Sequence, residues 1–214
     1  MTKKTKAKTK KNNKQGEEHS HSEDFDLDEL AGLMGSMEDP EAPLKRRGIY
    51  HLTGFISSHS TNPLQYDFLI KHFDDSFDDD IQLLINSEGG EMSACWSLLS
   101  VMKFMKSDIK TVGLGEVCSA AAILLAGGTP GKRSMDSNAS LMIHNFSWGR
   151  VGSYPDLLST RKAEDLEYSK HIRFWIANSK YKSAKDVEKH LLKEHDNWMS
   201  AEEAKSHGVI DHII

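Results

Sequence analysis

The chain has 214 residues, 38% of them hydrophobic and 28% charged, with a formal net charge of −5. That length suits one globular core preceded by a polar segment, and the negative balance argues against nucleic acid as a partner. Its two cysteines, Cys95 and Cys118, sit in apolar stretches as small buried hydrophobes would in a reducing, cytoplasmic setting, which excludes a disulfide framework. The longest strongly apolar run, Ala120 to Ala126, is far short of the roughly 20 residues that cross a bilayer, so no membrane partner is expected.

Met1 to Gln15 is lysine-rich without an acidic residue, and Glu17 to Glu41 is acidic without lysine or arginine. Such charge blocks bury too little apolar surface to offset their ordering entropy, so residues 1–42 read as a largely disordered tail and 43–214 as the folded domain. No apolar run follows the lysines as it would in a secretory signal. Within the tail, Phe25, Leu27, Leu30, Leu33 and Met34 have the spacing of a short amphipathic turn, either a docking patch or a spacer.

From Ile49 onward, strand-like and helix-like segments alternate, which predicts an α/β fold of right-handed βαβ units. Strands are expected at Tyr50 to Phe55, Ile81 to Ile85, Ile109 to Gly113 and Leu141 to His144, with helices at Pro63 to Phe73, Met92 to Met105 and Ala120 to Ala126. Leu98, Met102 and Met105 fall on one helical face and read as core. Ser153 as a cap, Pro155 in the first turn and Asp156 beside the dipole predict a long helix running to about Asn178, polar along Arg161, Lys162, Glu164 and Asp165. Capping boxes at Ser183 and Ser200 predict two shorter helices, with Asp196 in the connection between them.

Three positions carry candidate chemistry. Ser119 falls where the strand from Ile109 meets the helix from Ala120, a junction that exposes a hydroxyl beside the free N–H groups of a helix N-terminus. The competing reading is a helix-capping serine. His144 ends a buried strand, where catalytic groups sit in parallel sheets, although a satisfied polar group sits there as readily. Asp196, taken alone, is a solvated turn residue. Together they are an alcohol, a base able to take its proton and a carboxylate able to orient that base. Cys118 is a rival nucleophile, but its place before the exposed residue points it to the core.

Order, spacing and flanking residues resemble the proteolytic subunit of the Clp protease, a self-compartmentalised serine peptidase with a crotonase-like fold. The resemblance runs from about Arg47 to Ile214 and rests on Ile49 to Gly54, Ile85-Asn86-Ser87-Glu88-Gly89-Gly90, the Ser119 segment, Gly131-Lys132-Arg133, Asn138 to His144, Met199 to Ala204 and Gly208 to Asp211, with 25 residues separating Ser119 from His144. It implies an α/β spiral of βαβ units with a projecting handle helix that pairs two rings. Ser119 would be the nucleophile, His144 the general base and Asp196 the orienting carboxylate. The oxyanion donors would be the backbone N–H groups of Gly90 and Ala120, although Gly89-Gly90 also reads as a plain tight turn. Polypeptide substrate, stacked heptameric rings of one subunit and an AAA+ unfoldase partner follow from the same resemblance, and no metal or organic cofactor does.

The chain departs from the family pattern at Glu88, where a proline is usual, and at Phe146, another proline position. Gln82 and Leu84 replace tyrosines that help receive a loop of the ATPase, while Phe104 remains at a further docking position, so docking to a standard unfoldase is in doubt. Alternatives of other kinds are a specialised maturation peptidase without an ATPase partner, for instance of a virus, a non-catalytic ring subunit, and a crotonase-like hydratase or isomerase, which generally needs no such triad.

Overall fold

The computed structural model describes residues 39–147, 149 and 151–214. The expected tail, including the apolar positions from Phe25 to Met34, lies outside the described residues apart from 39–42. There the chain already enters helix α1, Ala42–Arg46, with Pro43 in its first turn, where the missing N–H costs no helical bond.

Seven strands make one sheet: β1 (Ile49–Ile56), β2 (Ile81–Gly90), β3 (Ile109–Cys118), β4 (Arg133–Met135), β5 (Ser140–Ile143), β6 (Asn197–Met199) and β7 (His212–Ile213). The main path is β1-β2-β3-β4-β7, all parallel. The helices that make those parallel crossovers are α2 (Ser58–Phe73), α3 (Met92–Phe104) and α4 (Ala120–Ala126). Both β1 and β2 run past their predicted ends, and β2 continues through the glycine pair to Gly90. Buried residues alternate along it at Ile81, Leu83, Ile85, Ser87 and Gly89, so one face stays on the core to the strand's last turn of register.

Strand β3 divides the sheet. Its first part, Thr111 to Gly113, pairs with β4, and its last part, Glu116 to Cys118, pairs with β5. Between them lies Gly115 at φ 59°, and the β2 register slips from Ile85 opposite Gly113 to Ser87 opposite Val117. A side chain at Gly115 would meet Asn86 at 3.0 Å, and the Asn86 Oδ1 accepts the Glu116 N–H at 3.1 Å. An irregularity of this kind re-aims the strand beyond it.

Helix α4 is buried along its whole length and packs on β2, β3 and α3. Sequestering Ile123, Leu124 and Leu125 contributes roughly 2 kcal/mol each before entropy is counted. Helix α3 buries Ala94, Cys95, Leu98, Leu99 and Met102, in line with the expected stripe, and Met105 follows it as a half-buried cap packed against the core. Helix α2 begins earlier than Pro63. Its start is set by Ser57, whose hydroxyl and backbone form a reciprocal capping box with Ser60, and Pro63 is carried inside at an exposed position.

Beyond β5 the chain enters α5 (Tyr154–Ala177), capped by Ser153 and Asp156 as expected. Its first half exposes Tyr154, Leu157 and Leu158, Leu166 just past the midpoint is exposed as well, and the turns that follow bury His171, Ile172, Phe174 and Trp175. Two short helices follow, α6 (Ala184–His190) and α7 (Ala201–Ser206), each with its serine cap. Strand β6 stands between them and was not foreseen, since Asn-Trp-Met is too short to show a period. No helix among the described residues is long and apolar enough to cross a membrane.

Arg133 ties these parts together under the sheet. It is buried and makes a two-pronged pair with Asp211, Nη2 to Oδ1 at 2.7 Å and Nε to Oδ2 at 2.9 Å, while Nη1 donates to the carbonyl of Asn178 at 3.2 Å, just past the end of α5. Burial pushes the Asp211 carboxyl up, but the Arg133 hydrogen bonds outweigh it and hold the group below the usual carboxylate range. A carboxylate so depressed stabilises the fold above the unfolded value of about 3.9, and that stability is lost as pH falls through the lower folded value. Asp211→Asn is therefore expected to cost about 2 kcal/mol at neutral pH, lowering the melting temperature by roughly 5 °C, and to flatten the acid limb of a melting-temperature profile; an unchanged profile would refute the bridge's role.

Candidate active site

The two strands on the far side of the fork bring three strand ends together. In the β3–β5 register Cys118 lies opposite Met142, and the Ser119 N–H donates to the Met142 carbonyl at 2.8 Å, so Ser119 and His144 leave adjacent strands side by side. In the antiparallel β5–β6 register Ile143 lies opposite Asn197. One step further along both strands puts His144 beside Asp196. The short strand β6 is thus the element that delivers the carboxylate, and it is anchored by Asn197, whose Nδ2 donates to the carbonyls of His190 and Leu191 at 3.0 and 3.1 Å.

The resulting contacts form an unbroken line. Ser119 Oγ lies 2.8 Å from His144 Nε2, and His144 Nδ1 lies 3.2 Å from Asp196 Oδ1. Ser119 occupies the N-cap position of α4, yet its side chain makes no capping bond, and its backbone sits at φ 56°, ψ −119°. It is the one non-glycine residue at positive φ among the described residues. Such a conformation costs on the order of 1–3 kcal/mol, and here it turns the hydroxyl away from the helix and onto the imidazole. The capping reading of Ser119 is therefore not the one realised.

Gly89 and Gly90 close the other side, not as a turn but as the last residues of β2. Their φ values are 96° and 153°. A Cβ on Gly89 would stand 2.6 Å from the Cys118 carbonyl and 2.8 Å from the Ser119 Cβ, and one on Gly90 would stand 2.2 Å from the Ile56 carbonyl. Only glycine permits these approaches, which bring Gly89 against the Ser119-Ala120 peptide and Gly90 against Ile56 of β1. Ser87 holds the segment, its hydroxyl donating to the Gly54 carbonyl at 2.5 Å and accepting the Gly89 N–H at 3.0 Å. The Ala120 N–H, at the first position of α4, has no place in the helical ladder.

Cys118 is buried, with Sγ 3.4 Å from Glu116 Oε1. Burial first, and the Glu116 carboxylate next, push its thiol up to about 12. A thiol held protonated in this way is a poor nucleophile.

A narrow cavity of about 10 Å³ opens beside Ser119, lined by Met92, Ile123, His144, Phe146, His171 and Trp175 among others. Met92 and Phe146 also line a groove of about 600 Å³ that runs past Gly90, Glu91 and Ser93 to Leu166 and Lys170. Sequence reasoning passed over this wall. Phe146 was noted only as a departure, and His171 and Trp175 were absorbed into the long helix, where the i, i+4 spacing was the available signal. Desolvation, with the nearby His144 adding to it and Glu167 opposing, pushes the His171 imidazole down to about 4.

A histidine kept neutral on folding has a stability signature. The unfolded chain takes up a proton near pH 6.5 and the folded chain does not until about pH 4, so the unfolded state binds more protons in that window and stability falls as pH drops through it. Going from pH 7 to pH 5 is expected to remove about 2 kcal/mol through this group. His171→Leu should shrink the pH 7 to pH 5 difference in urea unfolding free energy by that amount, and an undiminished difference would contradict the assignment.

Comparison with known proteins bears on the same residues. A sequence model described as Clp protease matches residues 37–214. The chain is also similar to the ATP-dependent Clp protease proteolytic subunit 2 of Frankia casuarinae, 34% identical over 176 residues that cover 82% of this chain and 79% of that protein. The first match spans the strands, the glycine pair and the three converging side chains, and the chain belongs to the Clp protease family.

Proposed function

We propose that this chain is the proteolytic subunit of a Clp-type serine endopeptidase, hydrolysing unfolded polypeptide with Ser119 as nucleophile, His144 as general base and Asp196 as the carboxylate that orients it. The observation that carries the reading is the continuous contact from the Ser119 hydroxyl through both ring nitrogens of His144 to Asp196. Serine alone is a weak nucleophile at neutral pH. His144 Nε2 takes the hydroxyl proton as Oγ attacks the scissile carbonyl, and Asp196 at Nδ1 fixes the tautomer and stabilises the imidazolium.

The N–H groups of Gly90 and Ala120 receive the carbonyl oxygen as it becomes an oxyanion. Support comes from the close approach of Gly89, the residue before Gly90, to the Ser119-Ala120 peptide and from the position of Ala120 at a helix N-terminus. Collapse of the tetrahedral intermediate returns the proton from His144 to the leaving amine. Water, deprotonated by the same imidazole, then releases the acyl group from Ser119. Roles for which only geometry speaks against rivals follow the same logic: a crotonase-like hydratase has no use for the linked triad, and a non-catalytic ring subunit would have no need to hold Ser119 in a strained conformation.

Assembly into stacked heptameric rings, which would confine substrate to a chamber, is supported by the exposed Tyr154, Leu157, Leu158 and Leu166 between the start and the middle of α5, an apolar strip of the kind that copies bury against one another. Gln82 and Leu84 speak against docking to a standard AAA+ unfoldase. The surface hollow containing Gln82 is lined by the apolar Val112 and Ile214 together with the cations Lys110 and Lys132, a mixed lining that, with Gln82 and Leu84 at the docking strand, favours a specialised peptidase with a differently built partner or none.

A fluorophosphonate probe followed by peptide mapping and native mass measurement tests nucleophile and assembly together. The adduct is expected on Ser119 and on a multiple of the subunit mass. Ser119→Ala should abolish labelling and lower peptide hydrolysis by at least about 10⁴-fold, while Cys118→Ala should leave labelling in place. Labelling lost only in the cysteine variant would overturn the assignment.

A further inference from the structure

Asp196 cannot hold its own orientation. Its side chain is 58% exposed and makes one polar contact among the described residues, with His144 Nδ1 at 3.2 Å. A carboxylate open to water turns freely unless its backbone is fixed, and β6, which leads away from it, pairs with β5 over only three residues. The fixing falls to its neighbour. Asn197 is buried, at 4% exposure, and its Nδ2 directs both hydrogens to the carbonyls of His190 and Leu191, at 3.0 and 3.1 Å. The residue following His144 is tied in the same way, for Asn145 Nδ2 donates to the Leu192 carbonyl at 3.3 Å. These three carbonyls are consecutive and lie at the C-terminal end of α6, where a helix leaves its last carbonyls without partners of its own. Val187, Leu191 and Leu192 are buried in the core, and the His190 ring stacks on that of Tyr181 at 4.8 Å, so this end of the helix is pinned on both sides. The residues next to His144 and next to Asp196 are thus hung from one rigid point.

Resting on the serine peptidase reading of this same site, we propose that Asn197 and Asn145 are positioning residues, and that the carbonyl end of α6 is the shared template on which they set His144 against Asp196. Both act through their chain neighbours. The imidazole has to meet Ser119 at Nε2 and Asp196 at Nδ1 at once, and a misplacement of about 1 Å in such an arrangement costs about a hundredfold in rate. Asn197 carries the larger share, being buried with two bonds, whereas Asn145 is exposed and makes one longer bond. The residue type follows from the acceptors. A carbonyl oxygen only accepts, so each position needs a donor, and an amide nitrogen supplies two from one atom. An aspartate in place of Asn197 would set carboxylate oxygens against two carbonyls, with no hydrogen between them.

The experiment follows fluorophosphonate labelling of Ser119 in the full chain and separates the maximal rate from the half-saturating probe concentration. Asn197→Ala is expected to lower the maximal rate about a hundredfold and Asn145→Ala about fivefold, each with the half-saturating concentration changed by less than about twofold. Asn197→Gln, which keeps the amide donors, should recover part of the rate, and Asn197→Asp, which has none, should recover nothing. The decisive comparison is with Asp196→Ala. If the asparagines work through the His144–Asp196 contact, adding either alanine substitution to Asp196→Ala lowers the rate by less than about twofold further, whereas a general weakening of the fold multiplies the two losses. Circular dichroism melting identifies folded variants, and should Asn197→Ala fail to fold, the exposed Asn145→Ala carries the same comparison. Maximal rates within about twofold of the native protein in the folded alanine variants, or losses that persist in full beside Asp196→Ala, would defeat the proposal. A native protein that forms no Ser119 adduct would strike the peptidase reading itself, so the two failures are told apart.

Discussion

Strand β3 serves two neighbours along one edge. Its first part hydrogen-bonds β4 and its last part β5, and the change occurs at Gly115, where a positive φ and the slipped register against β2 turn the chain out of the original plane. Were β3 regular, β5 would have no edge to join, His144 would have no strand end from which to reach Ser119, and β6 would have no partner on which to carry Asp196. The fork is itself held by polar groups of β2, with Asn86 bonded to the backbone of Glu116 and Ser87 spanning Gly54 and Gly89. Position in the sheet, more than any local feature of Ser119, His144 and Asp196, creates their proximity.

The same dependence explains what could be read from the sequence. Ser119, His144 and Asp196 stood out through chemistry and through their resemblance to a family, and the strands and helices around the first two followed from runs of apolar residues and from caps. Asn-Trp-Met of β6 and Arg-Ser-Met of β4 are too short to carry a period, and they exist because an edge was available, which is a property of the finished sheet. The glycine pair read as a turn because Gly-Gly usually makes one. Here β1 and the Cys118-Ser119 segment crowd both positions, and strand geometry continues through them. Helix α2 was placed too late because Pro63 is the louder local signal, whereas the decisive one was the Ser57 and Ser60 pair.

Strain and burial act in opposite senses around Ser119. The conformation of Ser119 is unfavourable taken alone and is tolerated because α4, buried at every position, cannot shift to relieve it. The far end of α4 is gripped as well, since the Arg133 guanidinium reaches the carbonyl of Ala126 at 3.4 Å while pairing with Asp211 near the C-terminus. The helix is therefore held at its reactive end by the sheet fork and at its other end by an ion pair, and the strained serine between strand and helix has no direction in which to relax.

Helix α5 adds a different constraint, because one continuous element serves two environments. Its first half leaves apolar side chains in solvent, an arrangement that by itself weakens the case for a stable monomer, and its second half supplies the His171 and Trp175 wall of the recess at Ser119. A helix of 24 residues is about 36 Å long and resists bending except at prolines, glycine pairs or bulges. Between Tyr154 and Ala177 the only proline is Pro155, in the first turn, and there is no glycine. Whatever covers the exposed half thus bears on the orientation of the buried half through a rigid lever, and the wall beside Ser119 is set partly by contacts made well away from it.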